Sequence, residues 1–429
     1  MKLHIKRIIM GLLSQLICLL PDKPATALID ALYAIRPSLL LQLLAKLPHH
    51  VFETKACDYV GIYTILTENE LRKYAYRVID PERIEAVPLP YVYGLSTGGS
   101  YSILKSEITL YKFTNAMFHP FSDAIRVGNK VYWEKSARTQ FTKLIPADRD
   151  LVSYDRHERS LLLKKFNQVH KIKSGFSLSG VHVNSWGHFI GNFFPKMLAL
   201  KEIDVKDLAI LVPSNVDDHI KGLVELCAKR LGPYAVHYLD PNMPVECESL
   251  YYCSSPSYLA DHADYLHLAD ILISQYAINA LHDLVGLVRH ESSPSGNRKI
   301  FIGRTGYRNL ENYKEVEALF VNFGFEVVYP HRLTLSEKIA VFEEASHIAG
   351  PASSGFANWI FSRPGTKALA FINFARSLDL YSGPFMQAPF HIKSFFVTGE
   401  ESYASNVHNS YRISLDRIQA ALSATEFLS

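Results

Sequence analysis

The chain has 429 residues, 48% of them hydrophobic and 20% charged, with a formal net charge of +3. That length suits two domains better than one, the composition is that of a folded globular protein, and so small a positive excess excludes a protein held to nucleic acid by bulk charge. The five cysteines, Cys18, Cys57, Cys227, Cys247 and Cys253, lie at no zinc-ligand spacing and are too sparse for a disulfide framework, which suits a reducing compartment.

Lys2, Lys6 and Arg7 precede an apolar run over residues 8–20, broken by Ser14 and Gln15. No small-residue cleavage site follows, only Pro21-Asp22-Lys23-Pro24, and the run is too short to span a bilayer. A second apolar stretch covers residues 39–47. Residues 1–50 therefore read as an N-terminal helical segment, with two readings open. One is a basic amphipathic segment on a membrane surface, giving a cytoplasmic protein peripheral on the inner membrane; the other is a helical hairpin packed on the core.

From residue 51 to 145 the pattern is mostly strands and turns. Residues 108–113 alternate, and residues 124–133 read as a hairpin turning at Gly128-Asn129. Asp148-Arg149-Asp150 is a carboxylate pair of the kind that holds a divalent cation on a diphosphate, but it lies in a charged, unpatterned stretch and reads as a solvated loop. In residues 181–200, polar His182, Asn184 and His188 are interleaved with Trp186, Phe189, Phe193 and Phe194. Strands are predicted at 208–212, 236–239 and 250–253, with helices over 219–230 and 262–289. Residues 291–298, ESSPSGNR, are the Ser/Pro/Gly punctuation of a linker.

After the linker, strands at 300–302, 325–328, 347–350 and 367–372 alternate with helices. The first helix carries Val316, Leu319, Phe320 and Phe323 on one face and stops at Gly324. The second carries Leu335, Ile339, Phe342 and Ala345 and is capped by Thr334 or Ser336; the third opens at Ser353-Ser354-Gly355. A turn-rich loop through Pro389, a strand at 392–397 and a helix from Leu415 complete the chain. Strands alternating with amphipathic helices make βαβ units and a parallel sheet, which binds ligands at the carboxyl ends of its strands. Those ends carry Arg304, residues 351–355 and Asn373. Two Rossmann-like α/β domains are predicted, over 51–290 and 298–429, with a cleft between them.

Several short motifs go further than this pattern. Arg304, Arg308 and Asn312, then GPASSGFAN at 350–358 and RPGTKAL at 363–369, resemble glycosyltransferase family 61. Gly350, Pro351, Gly355 and Asn358 keep the family's Gly-Pro-His-Gly-Ala-Gly-Leu-x-Asn frame, while Ala352-Ser353-Ser354 replaces its His-Gly-Ala. Upstream, HFIGNFFPKM at 188–197 is similar to the family's His-Trp-x-x-Glu-x-Leu-Pro-Arg-Leu. His188 and Pro195 match, Phe189 stands for Trp and Lys196 for Arg, and Asn192 stands where the family has Glu. The resemblance covers residues 105–375.

The resemblance implies a GT-B-like fold and inverting transfer of a sugar from a nucleotide-sugar donor to a glycan or lipid-linked glycan, without a metal cofactor. Its bacterial members are similar to enzymes of capsular and lipopolysaccharide assembly. Arg304 and Arg308, with the helix start at Ser353, Ser354 and Gly355, suit the donor's diphosphate, and Asn358 braces that loop or touches ligand. His188 is the candidate base on the acceptor hydroxyl. Asn192 cannot take a proton, so the family's Glu role is vacant; His182 and Asp261 are candidates to fill it. The alternative is a catalytically altered relative that binds a nucleotide sugar or glycan. Lys338 stands where the family commonly has Gln and is assigned no role.

Overall fold

The computed structural model describes residues 2–428 other than 36, 45, 48–59, 89–90, 95, 98, 135–147, 156, 260–270, 290–295, 305–309, 374–392 and 401–409. Arg308, Asp261, most of the linker and the loop before Pro389 therefore lie outside the described residues.

Two large sheets organise the chain. In the eleven-stranded sheet the strands Val245–Cys253, His170–Ser177, Ala209–Pro213 and Ala235–Leu239 run parallel. Its other part is antiparallel around the long strand Ile108–Phe118 and includes the hairpin Ala124–Val127 with Lys130–Trp133, beside which Val60–Ile65 pairs in parallel. That hairpin turns at Gly128, whose φ of +62° favours glycine. The triple-leucine strand Ser160–Lys164 is buried on both faces: Leu162 packs under the N-terminal helices, Leu161 and Leu163 against Val131 and Trp133. A strand covered twice needs no alternation.

The seven-stranded sheet runs Glu326–Val328, Arg298–Ile302, Ala345–Pro351, Lys367–Ile372, Lys393–Thr398, Tyr91–Tyr93 and Ser96–Thr97. Its pairings are parallel up to Tyr91–Tyr93, which comes from the stretch before the linker. One face meets the helices Tyr313–Asn322 and Leu415–Thr425 through Phe301, Phe320, Phe371 and Ile418. The other meets Leu335–Glu343 and the tight 3-10 helix Ser354–Phe361. On this face Ile300, Ile302, Phe342 and Phe356 share one apolar core with Phe176, Leu223 and Leu281 from the other sheet. The two sheets therefore meet through packed side chains as well as through the linker.

Two predicted elements change form. The helix expected over 262–289 spans only Gln275–Val288, since Ile271–Ile273 is a strand paired with Ser257–Leu259 and Ser274 caps the helix by accepting from the Ala277 N–H. Three consecutive β-branched or leucine residues before a capping serine favour that boundary. The Asp148-Arg149-Asp150 loop is not solvated. Asp150 is fully buried in an ion pair with Arg126 of the hairpin, and Asp148 Oδ1 accepts the N–H groups of Asp150 and Leu151, both at 3.0 Å. Burial, reinforced by neighbouring Asp123, pushes the Asp148 carboxyl up to about 7. Both acids close the fold around the hairpin.

At the N-terminus, Lys2–Leu19, Asp22–Ile35 and Pro37–Leu44 are helices. Ile17, Ile29, Leu40 and Leu44 pack on Val60, Val152 and Leu162, and Ser14 Oγ donates to the Leu43 carbonyl. The opposite face leaves Ile9, Leu12, Leu16 and Leu19 exposed, Leu12 at 61% and Leu19 at 83%. Among the described residues, no helix is long and apolar enough to cross a membrane.

Candidate active site at the junction of the two sheets

Close packing fixes the carboxyl edge of the seven-stranded sheet. Gly350 has φ +144°, and a Cβ there would stand 2.7 Å from the Ile302 carbonyl oxygen. A Cβ on Gly303 would stand 2.5 Å from the Tyr329 ring. Only glycine allows the strands Arg298–Ile302 and Ala345–Pro351 to end this close together. Arg304 follows directly and donates from Nη1 to the Ala352 carbonyl at 2.7 Å. One residue on, Ser353 caps the next helix, its Oγ accepting the Gly355 N–H at 3.2 Å. Ser354 is exposed at the helix start. Asn358 lies one turn in, 1% exposed; its Nδ2 donates to the Gly355 carbonyl at 2.7 Å, and its Oδ1 has no partner among the described residues. The cation and the open helix end expected from the sequence thus share one edge, where N–H groups and the helix dipole favour an anion.

The facing lip comes from the other sheet. The Gly180 N–H donates to the Pro120 carbonyl and the Val181 N–H to Asp123 Oδ1 at 3.0 Å. This anchorage holds His182 at φ +65°, an unfavourable region for a residue with a side chain. The chain then enters the short helical turn Trp186–His188 and a wider π-type turn, Phe189–Phe193. The rings of His182 and His188 stack with centroids 4.8 Å apart. A methyl group on Gly187 would stand 3.5 Å from Ser354 Cβ, so the His188 turn abuts the helix start. Asn192 Oδ1 is 3.3 Å from Ser257 Oγ, which also hydrogen-bonds the Gly191 carbonyl. Lys196 is buried and donates to Tyr252 Oη at 3.1 Å, and Tyr252 donates in turn to Glu134.

Three further side chains complete the junction. Asp217 caps the helix Asp218–Leu231, accepting from the His219 N–H at 2.8 Å. His219 Nδ1 also meets Asp217, and its Nε2 lies 2.6 Å from the Leu333 carbonyl across the junction. Its ring stands edge-on to Trp186. Lys338, in the first turn of Leu335–Glu343, is 3% exposed, with its Nζ 4.3 Å over the Trp186 ring. Burial pulls its ammonium down to about 8, against the opposing attraction of Asp217. Lys338, assigned no role from sequence, carries a signal there: with Leu335, Ile339 and Phe342 it occupies i, i+3, i+4 and i+7 of one helix, so it falls on the apolar stripe.

A mixed α/β protein with large parallel sheets, bringing a cation and an open helix end against a histidine-bearing turn, has the layout of an α/β glycosyltransferase. The family model described as Glycosyltransferase 61 matches residues 186–369, a span from Trp186 on one lip to the strand beyond the Ser354–Phe361 helix. Over that span the chain is similar to glycosyltransferase family 61, which supports glycosyltransferase activity. No curated protein matches it.

Proposed function

We propose that the protein is an inverting glycosyltransferase with a GT-B-like arrangement, moving a sugar from a nucleotide-sugar donor to a glycan acceptor in surface polysaccharide assembly. The observation that carries this reading is the convergence of Arg304 and the Ser353–Ser354 helix start on one edge, directly facing the His188 turn. In this reading the acceptor hydroxyl oxygen attacks the anomeric carbon, the bond from that carbon to the phosphate oxygen breaks, and the nucleoside diphosphate departs with the electron pair. Arg304 and the helix N–H groups meet the charge that grows on the leaving group. His188 takes the hydroxyl proton. Asn358 Oδ1, buried and with no hydrogen-bond partner among the described residues, suits a hydroxyl of the donor sugar nucleotide. No metal cofactor is assigned a step.

Asn192 favours a second reading, a relative that binds a nucleotide sugar or glycan without transferring it. An amide held beside Ser257 supplies no base at the position where the family has Glu. Incubation with a panel of nucleotide sugars, followed by detection of released nucleoside diphosphate and of transferred sugar, separates the two. Binding without release or transfer favours the second; no binding of any nucleotide sugar overturns both. We assign the exposed Ile9, Leu12, Leu16 and Leu19 stripe to peripheral contact with a lipid surface, next to Lys2, Lys6 and Arg7 in the sequence.

A further inference from the structure

The ammonium of Lys338 calls for an explanation that the fold does not supply. The side chain is almost fully enclosed, yet among the described residues its Nζ forms no hydrogen bond or ion pair, only the contact with the Trp186 ring. Buried cations ordinarily come paired and hydrogen-bonded, because desolvation costs several kcal/mol otherwise. Asp217 exerts an attraction on Lys338, but that carboxylate is half-exposed and held by His219. Trp186 Nε1 is likewise a buried donor without an acceptor among the described residues. Among the described residues, two donors without acceptors therefore adjoin one another at the junction.

Topology sets where they point. Leu335–Glu343 begins at the carboxyl edge, after the strand Glu326–Val328, and Ser354–Phe361 begins at the same edge, after Ala345–Pro351. Lys338 is in the first turn of one helix and Ser354 starts the other. Trp186, under the Lys338 ammonium, is the neighbour of Gly187, which abuts Ser354. We propose that Lys338 is a second cation of the donor site, leaving the Trp186 face to bind a phosphate oxygen of the nucleoside diphosphate beside the Ser353–Ser354 helix start. The proposal rests on the donor reading above and extends it to a residue where the family commonly has Gln. It gives the cleft two cations with different tasks. Arg304 is fixed by the Ala352 carbonyl. Lys338 stands on an aromatic face that it can quit without breaking a hydrogen bond.

The test is titration calorimetry of the full chain with UDP, GDP and inorganic pyrophosphate, using uridine and guanosine as phosphate-free controls. For Lys338→Met and Lys338→Gln, diphosphate affinity should fall roughly ten- to a hundredfold, as expected for loss of one charge-assisted contact. Binding at pH 8 in buffers of different ionisation enthalpy adds a readout that a structural role would leave unmoved. The wild type should take up about half a proton, since Lys338 is half protonated there and fully protonated against phosphate. The variants should take up none. Asp217 attracts Lys338 from the neighbouring helix, His219 stands edge-on to the same Trp186 ring, and the Ser354–Phe361 helix has no charged residue. At pH 8 the phosphates of UDP and GDP and the Asp217 carboxyl stay ionised, so the uptake measured with the two nucleotides reports on Lys338. Unchanged diphosphate affinity in both variants, with the wild type binding, overturns the assignment of Lys338 and leaves the donor reading standing. Pyrophosphate bound in a Lys338-dependent way while neither nucleotide binds more tightly than pyrophosphate supports the anion site and counts against the nucleotide-sugar reading. No binding of any diphosphate by the wild type overturns both.

Discussion

Replacing Lys338 by methionine should stabilise the ligand-free protein. Burial lowers the ammonium from its ordinary 10.5 to about 8, which at about 1.4 kcal/mol for each pH unit is a cost near 3 kcal/mol for keeping it charged at neutral pH. Methionine keeps the length and apolar stem but gives up the cation–π contact with Trp186, worth about 1–2 kcal/mol. The net expectation is a gain of about 1–2 kcal/mol at pH 7. The pH dependence has a definite sign. A base whose folded-state value is depressed binds fewer protons folded than unfolded, so wild-type stability rises with pH between about 8 and 10.5. The penalty is complete below about 8 and relieved above 10.5, so the methionine advantage should shrink across that window. Urea unfolding of both proteins at pH 7 and pH 10 measures it. A methionine variant less stable than wild type at pH 7, or a difference that does not change with pH, would refute the reasoning, because the ammonium would then be a structural cation.

Other substitutions probe the rest of the site. Arg304→Ala should weaken nucleoside diphosphate binding by about one to two decades in calorimetry, and Arg304→Lys should recover little, because one ammonium cannot reproduce the guanidinium fork. His188→Ala should lower turnover about 10²- to 10⁴-fold while leaving nucleotide affinity within about twofold; an unaltered rate removes it as the base. Gly350→Ala should cost about 1–3 kcal/mol in urea unfolding, since its Cβ would meet the Ile302 carbonyl at a φ that glycine alone tolerates well. Leu12→Ser with Leu16→Ser should reduce co-sedimentation with anionic vesicles by about tenfold or more at unchanged unfolding stability, because both side chains are exposed. Deleting residues 1–20 is a poorer test, as it strips Ile17 from the core beneath.

Much of the C-terminal sheet was legible because its strands are short apolar runs bounded by glycines and capped helices. Thr334 closes a full capping box with Glu337, and Gly324 ends its helix at φ +83°, both local devices. What escaped depends on distant partners. Asp150 looked solvated because Arg126, its counter-ion, sits on a separate hairpin. Tyr91–Tyr93 gives no sign in sequence that it will extend the sheet formed after the linker. For Lys338 the stripe position was readable, but its meaning comes from Trp186, which only the packing of the two sheets brings beneath it. His182 stands out in sequence as a polar residue among aromatics; its positive φ requires the anchorage at Gly180 and Val181.

The vacancy at Asn192 has a geometric answer in the same turn. Residues 188 and 192 are four apart across a helical turn that widens at Phe189–Phe193, so their side chains leave the backbone on nearly the same side. A carboxylate at 192 and an imidazole at 188 would therefore address overlapping space. In this chain Asn192 is turned to Ser257, while His188 stacks on His182, which is itself held in a strained conformation. Strain of that kind persists only where the surrounding contacts over-determine it. The hydrogen bonds at Gly180 and Val181 do so, and their effect is to keep a second imidazole against the first. Proton acceptance in the proposed transfer thus rests on a histidine pair beside the position where the family has its Glu. In the same proposal Arg304 and Lys338 would meet the leaving-group charge across the junction, so that proton and phosphate would be handled from opposite lips.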